Sequence, residues 1–159
     1  MILDAERETV LVSGRRLFGV RVAPIDPPRS VRVTIVLDGK FEWTFDQAGW
    51  RPLAVGVGES GTFLWSAREL ITLPVDADGA PVVEFVADED LLAVFEGAGG
   101  WVFVCETSVR RVIGRRETGR LEFDAVIESC LWVSDDEIVL RIDDGSERRV
   151  SLRGVGLDG

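Results

Sequence analysis

The sequence predicts an all-β fold, an antiparallel meander of repeated hairpins that forms a sandwich or a barrel. Two observations support this prediction. Apolar and polar residues alternate over many short runs, which recur roughly every ten residues between Gly- and Asp-rich turns. No segment shows the apolar period of an amphipathic helix. At 159 residues, the chain is expected to form a single domain over residues 1–159.

Two hairpins are predicted near the N-terminus. Their strands are Thr9–Ser13 with Leu17–Val22, and Val31–Leu37 with a strand that opens at Phe41. Gly14-Arg15-Arg16 turns the first hairpin, and Asp38-Gly39, the strongest turn signal in the chain, turns the second. Between them, Ala23–Arg29 carries three prolines. Because proline has no backbone donor, this segment is predicted to be a connector, and residues 23–30 are a candidate boundary.

The remaining predicted strands are short runs separated by turns. They are Leu53–Val57, Thr62–Ser66, Glu69–Leu73, Val82–Val86, Leu91–Glu96, Trp101–Glu106, Val109–Ile113, Leu121–Ile127, Cys130–Val133, Glu137–Ile142 and Glu147–Leu152.

An internal repeat links two of these hairpins. Leu53-Ala54-Val55 recurs as Leu92-Ala93-Val94, and the glycines that bound Gly58–Gly61 recur at the ends of Gly97–Gly100. The shared shift of about 39 residues lies inside the range of stacked supersecondary units. A second pattern, apolar–Glu–aromatic, is expected to open a strand upstream of hairpins near Leu53, Leu91 and Ile138, with an insertion around Glu128–Val133. It occurs at Phe41-Glu42-Trp43, Val83-Glu84-Phe85 and Leu121-Glu122-Phe123.

The stretch from Asp88 to Val104 resembles a β-propeller blade of the WD40-like type. It has an acidic turn, an apolar strand, the Gly97–Gly100 turn and a second apolar strand. The resemblance extends over about residues 40–152, without the Gly-His and Trp-Asp signatures of WD40 repeats. It implies a small or partial β-propeller-like array as the alternative to the sandwich or barrel.

The composition excludes several kinds of chemistry. The chain has no histidine, which excludes a Ser-His-Asp triad or a Cys-His dyad within it. Neither a metal site nor a cofactor is predicted. Cys105 and Cys130 are interpreted as buried thiols, with a disulfide between them as the open alternative.

The net charge of −10 disfavours generic nucleic-acid binding. The apolar runs are too short to span a bilayer, and no secretory signal is visible, so a cytoplasmic protein is expected. Arginine is abundant and Lys40 is the single lysine, a bias that suits a GC-rich bacterial genome. Short acidic runs such as Asp88-Glu89-Asp90 are interpreted as solvated turns.

Two features are candidates for partner binding. Trp50 lies in a predicted loop, where a partly exposed ring could anchor a partner. The densest basic stretch of this acidic chain, called the arginine stretch below, contains Arg110, Arg111, Arg115, Arg116 and Arg120. Two interpretations stay open: a face for an acidic partner or RNA, or a solvated hairpin end balanced by nearby acids.

Three functional hypotheses follow. The first is a non-catalytic interaction module, an adaptor, inhibitor or immunity-type protein that binds another protein or a second copy of itself as a homodimer. The alternative is a ligand-binding or hydrolytic β-barrel that uses carboxylates and arginines, with Trp50 at its mouth. The third is RNA binding through the arginine stretch.

Overall fold

A computed structural model describes residues 8–26, 29–37, 41–48, 53–75, 79–97, 99–134 and 136–155. The described chain is all-β, as predicted, and every strand pairing is antiparallel. A 3-10 turn, Leu152–Gly154, follows the last strand. The strands are β1 (Glu8–Ser13), β2 (Arg16–Asp26), β3 (Ser30–Leu37), β4 (Phe41–Ala48), β5 (Ala54–Gly58), β6 (Gly61–Trp65), β7 (Glu69–Thr72), β8 (Val82–Val86), β9 (Leu91–Gly97), β10 (Gly100–Cys105), β11 (Ser108–Ile113), β12 (Arg116–Glu122), β13 (Ile127–Ser134), β14 (Glu137–Ile142) and β15 (Glu147–Ser151).

The strands form four sheets, each a meander of consecutive strands. The sheets are β1–β4, β5–β8, β9–β12 and β13–β15. In the part of the chain that the structure describes, no sheet closes into a barrel. The architecture is consistent with a sandwich or with a partial propeller-like array.

The chain divides into two compact units, unit 1 (Met1–Val86) and unit 2 (Ala87–Gly159). In each unit, two sheets contribute to one apolar core. The unit 1 core includes Phe18, Ile35, Leu64 and Ile71. The unit 2 core includes Val104, Val109, Ile138 and Leu140. The candidate boundary at residues 23–30 lies inside unit 1, and a single domain over residues 1–159 stays a prediction.

The repeat found in the sequence is a repeat of structure. Gly58 pairs with Gly61 at the closed end of the β5–β6 hairpin. Gly97 pairs with Gly100 at the same place in the β9–β10 hairpin. The repeated segments therefore begin two successive meanders, β5–β8 and β9–β12.

The apolar–Glu–aromatic pattern marks the last strand of three meanders. It lies in β4 and β8 and at the end of β12. The expectation that the third copy opens a strand was wrong, and so was the insertion around Glu128–Val133, because those residues belong to β13. In each case the next strand along the chain, β5, β9 or β13, is the first strand of the next sheet.

The predicted strand Leu121–Ile127 was also wrong. β12 runs from Arg116 to Glu122, and a loop separates it from β13. Gly114 and Arg115 both have positive φ, of 55° and 66°. Two such residues form a tight hairpin turn, so the strand begins directly after them.

The predicted connector at Ala23–Arg29 was wrong in its first half. β2 continues to Asp26, and Pro24 pairs with Val31 of β3. The described part of β1 pairs only with Arg16 to Arg21 of β2. Pro24 therefore lies beyond that pairing, where a missing backbone donor costs less.

Two sequence predictions fall outside the described residues, namely the Asp38-Gly39 turn and the loop that carries Trp50. Among the residues described, no helix is long and apolar enough to cross a membrane.

Candidate functional site

The structure separates the five residues of the arginine stretch. Arg110 and Arg111 are buried in β11, a central strand of its sheet. Arg115 and Arg116 are exposed at the β11–β12 turn, and the Arg120 side chain on β12 is 32% exposed. The five side chains therefore do not form one exposed face, and partner binding by them stays a prediction.

Arg110 lies at the centre of an ionic cluster within unit 2. Its guanidinium forms ion pairs with Asp88 and Glu89, in the segment before β9, and with Glu117 of β12 at 3.4 Å. Arg120 also contacts Glu117, with 2.8 Å between Nε and Oε1. These carboxylates balance the buried positive charge of Arg110, as burial of an ion requires.

Glu89 is the most strongly held carboxylate of this cluster. It accepts hydrogen bonds from the backbone N–H and the hydroxyl of Thr107, at 3.0 and 2.9 Å, and from Ser108 and Arg110. Burial disfavours the charged form, but these donors outweigh burial and lower the pKa of Glu89 to about 2. The interpretation of Asp88-Glu89-Asp90 as a solvated turn was therefore wrong for Glu89, although Asp88 is exposed.

Arg111 also has a contact within unit 2. Its Nη1 donates a hydrogen bond of 3.5 Å to the carbonyl oxygen of Leu152, in the 3-10 turn after β15. Arg110 and Arg111 thus tie the β9–β12 sheet to neighbouring segments of the same unit. Their observed contacts are structural.

A separate feature of unit 1 has the form of a binding site. A cleft of about 460 Å³, called the Gln47 cleft below, lies between the end of β4 and the β6–β7 turn. This volume is within the range of small-ligand clefts, roughly 300–1,000 Å³. Charged residues of both signs line it, namely Arg29, Asp46, Arg68 and Glu69.

The wall of this cleft contains a buried amide. Gln47 is 7% exposed. Within the described residues, neither its Oε1 nor its Nε2 has a hydrogen-bond partner. Buried polar groups are nearly always hydrogen-bonded, and one left without a partner costs about 1–3 kcal/mol. Gln47 therefore has a donor and an acceptor that the described chain does not use, and both atoms are closed to solvent as the side chain stands.

The strand alternation places Gln47 on the inner face. In β4, Trp43 and Phe45 pack against the unit 1 core, while the residues between them are exposed. Gln47 has the same phase as these two aromatic residues and pairs with Val31 of β3. An apolar residue is the ordinary choice at such a position.

The opposite side of the cleft is a hydrogen-bonded turn. The Ser66 N–H donates to the Glu69 carbonyl oxygen at 3.0 Å. The Ser66 hydroxyl oxygen accepts from the backbone N–H groups of Arg68 and Glu69, at 3.4 and 3.3 Å. These bonds fix the turn that presents Ala67 to the cleft.

The two carboxylates of the cleft differ in their electrostatics. Asp46 accepts two hydrogen bonds from Arg32, at 2.7 and 2.9 Å, and these lower the pKa of Asp46 below its ordinary value. Glu69 is half-buried, and burial raises its pKa. Asp46 is therefore held ionised by a partner, whereas Glu69 accepts a proton more readily.

Sequence reasoning missed the Gln47 cleft, although a signal was present. In β4 the inward-facing Trp43 and Phe45 alternate with exposed polar residues, and the next residue in phase is Gln47. A polar residue at an inward position is informative, because burial of an amide needs a reason. The turn residues of the cleft carry no comparable local signal.

The described residues show no group of three or more Cys, Asp or Glu side chains placed to hold a metal ion. Cys105 and Cys130 are both free thiols. Burial raises their pKa values to about 12 and about 11, so both are protonated at neutral pH. Comparison with models of known protein families and with curated protein sequences found no match for the chain.

Proposed function

We propose that this protein is a non-catalytic interaction module, of the adaptor, inhibitor or immunity type, and that its Gln47 cleft receives a segment of a partner protein. One observation carries the proposal: the buried amide of Gln47, which has no hydrogen-bond partner among the described residues. A bound segment that pairs with this amide would recover the cost of its burial.

The surroundings of the amide support a binding role. Val86 adds exposed apolar surface to the cleft, and charged residues of both signs lie around it. Ligand sites combine apolar contact with a few placed polar groups in this way.

Partner capture with matched variants tests this proposal. Gln47→Met keeps the size of the side chain and removes the amide, whereas Thr44→Val changes an exposed residue of the same strand. We expect one protein from a native lysate to bind the wild type and Thr44→Val, but not Gln47→Met. Equal capture by all three proteins would refute a role of the cleft.

The partner is another protein or a second copy of the chain. Light scattering before and after a salt step distinguishes the two. A dimer that Gln47→Met converts to a monomer would identify the partner as a second copy. A monomer under both conditions would direct the search to a different protein.

A hydrolytic function is the second candidate. One observation favours it: Asp46 and Glu69 line the same cleft, and their pKa values shift in opposite directions. Such a pair can serve as a general base and a general acid. A panel of nitrophenyl glycosides tests this candidate, which requires turnover that Glu69→Gln abolishes.

RNA binding through the arginine stretch has less support, since Arg110 and Arg111 are buried. The resemblance to WD40-like propeller repeats over about residues 40–152 is part of the proposal and rests on the sequence. A bacterial source, from the arginine-rich composition, and a cytoplasmic location, from the short apolar runs, complete the proposal.

A further inference from the structure

We propose that the Gln47 cleft recognises an uncharged amide group, either a peptide group or a carboxamide side chain. This inference rests on the proposed function, because it names the chemical group that the cleft binds within the partner segment. It starts from the atoms of Gln47, which are buried and have no hydrogen-bond partner in the described chain.

The chemistry of a glutamine amide selects its complement. Oε1 accepts hydrogen bonds and Nε2 donates them, and the two atoms lie side by side. Another amide presents the same pair in the opposite order. Because both atoms of Gln47 are closed to solvent as the side chain stands, the side chain must turn toward the cleft for such an amide to satisfy both at once. A carboxylate can only accept, which leaves Oε1 without a donor, and an ammonium can only donate, which leaves Nε2 without an acceptor.

The other residues of the cleft also favour an uncharged group. Two arginines, Arg29 and Arg68, and two carboxylates, Asp46 and Glu69, line the cleft. Charges of both signs thus surround the amide, and neither sign dominates. Val86, which is exposed, provides apolar contact for the carbon atoms next to a bound amide.

A nucleobase is the main competitor, because the adenine edge also presents a donor beside an acceptor. A nucleic acid would carry phosphates toward a chain with a net charge of −10. A peptide carries no such charge. The volume of about 460 Å³ is enough for a short extended segment rather than one side chain alone.

The test uses small probes that share one side chain and differ in charge. They are N-acetylvaline N-methylamide, which is neutral, N-acetylvaline, an anion, and valine N-methylamide, a cation. Propionamide represents the carboxamide source, and adenosine represents the nucleobase. Binding to the full chain is followed by NMR, through the backbone amide signals of Ala67 and Val86.

We expect saturable shifts with a neutral amide, and binding roughly tenfold weaker in Gln47→Met, as expected for one lost hydrogen-bond pair. Thr44→Val should bind like the wild type. If N-acetylvaline N-methylamide has the lower Kd, the bound group is a peptide group. If propionamide has the lower Kd, the bound group is a carboxamide side chain.

Tighter binding of N-acetylvaline, of the cation or of adenosine would overturn the inference, and so would the absence of any shift. If a partner protein is captured by the wild type but not by Gln47→Met, and no amide probe binds, the inference is overturned while the proposed function stands. Equal capture of partners by wild type and Gln47→Met would instead overturn the proposed function.

Discussion

At the scale of single residues, Gln47 is expected to lower the free energy of unfolding. Its amide is buried, and neither polar atom has a partner within the described chain. Replacement of such a group by an apolar one of similar shape removes the cost of desolvation. We therefore expect Gln47→Met to raise the free energy of unfolding by about 1–3 kcal/mol, measured by urea denaturation.

Urea denaturation of two further variants checks this prediction, one as a control and one with the opposite expected effect. Thr44→Val, on the exposed face of β4, should change the free energy of unfolding by less than about 0.5 kcal/mol. Gln47→Glu places a carboxylate at the buried position and should destabilise the fold. A loss of stability in Gln47→Met would show that the amide has a partner in the folded chain, and would remove the basis of the cleft proposals.

Glu89 makes stability depend on pH. Its pKa falls from 4.5 to about 2 on folding, so folding favours the ionised form. The resulting stabilisation is complete above pH 4.5 and declines as the pH falls toward 2. It amounts to at most about 3 kcal/mol. Urea unfolding of Glu89→Gln should show a deficit against the wild type at pH 7 that disappears near pH 2, and a constant deficit would contradict this assignment.

At the scale of elements, close backbone approach fixes one position in β5. A Cβ atom added to Gly56 would overlap the ring of Phe63, its partner on β6. Because Phe63 is buried, the ring cannot easily move aside. We expect Gly56→Ala to lower the free energy of unfolding by about 1–3 kcal/mol.

A double variant checks the cause. In Gly56→Ala/Phe63→Leu the smaller side chain leaves room for the new methyl group, so the combined loss should be less than the sum of the two single losses. Additive losses of unfolding free energy would mean that Gly56→Ala acts through the backbone at residue 56 rather than through overlap with the Phe63 ring.

The elements also show what the sequence can predict. Alternation identifies strands such as β3, because a half-buried strand has a period of two. It fails at β12, since the turn before this strand uses Arg115 with positive φ rather than a recognisable turn dipeptide. Burial of Arg110 was not predictable either, because Glu89 lies 21 residues away in the chain.

At the scale of the whole molecule, local patterns do not reveal which sheets share a core. The alternation of β2 indicates one buried face, and the apolar run of β6 indicates a buried strand, but neither segment shows that the two pack together. The structure places both in the core of unit 1. The cleft is hidden for the same reason, since Gln47 and the Ser66–Glu69 turn belong to different sheets.

The division into two units predicts an uneven response to acid. The Glu89 cluster lies wholly in unit 2. Protonation of Glu89 should therefore weaken β9–β12 before it weakens β1–β8. Hydrogen exchange followed by mass spectrometry, at pH 6 and pH 3 with correction for the intrinsic rate, should show a larger gain in exchange for peptides of unit 2. In Glu89→Gln, which lacks the titrating group, this difference between the units should shrink. An equal gain in both units would mean that the chain opens as one cooperative domain, as the length of the sequence predicts.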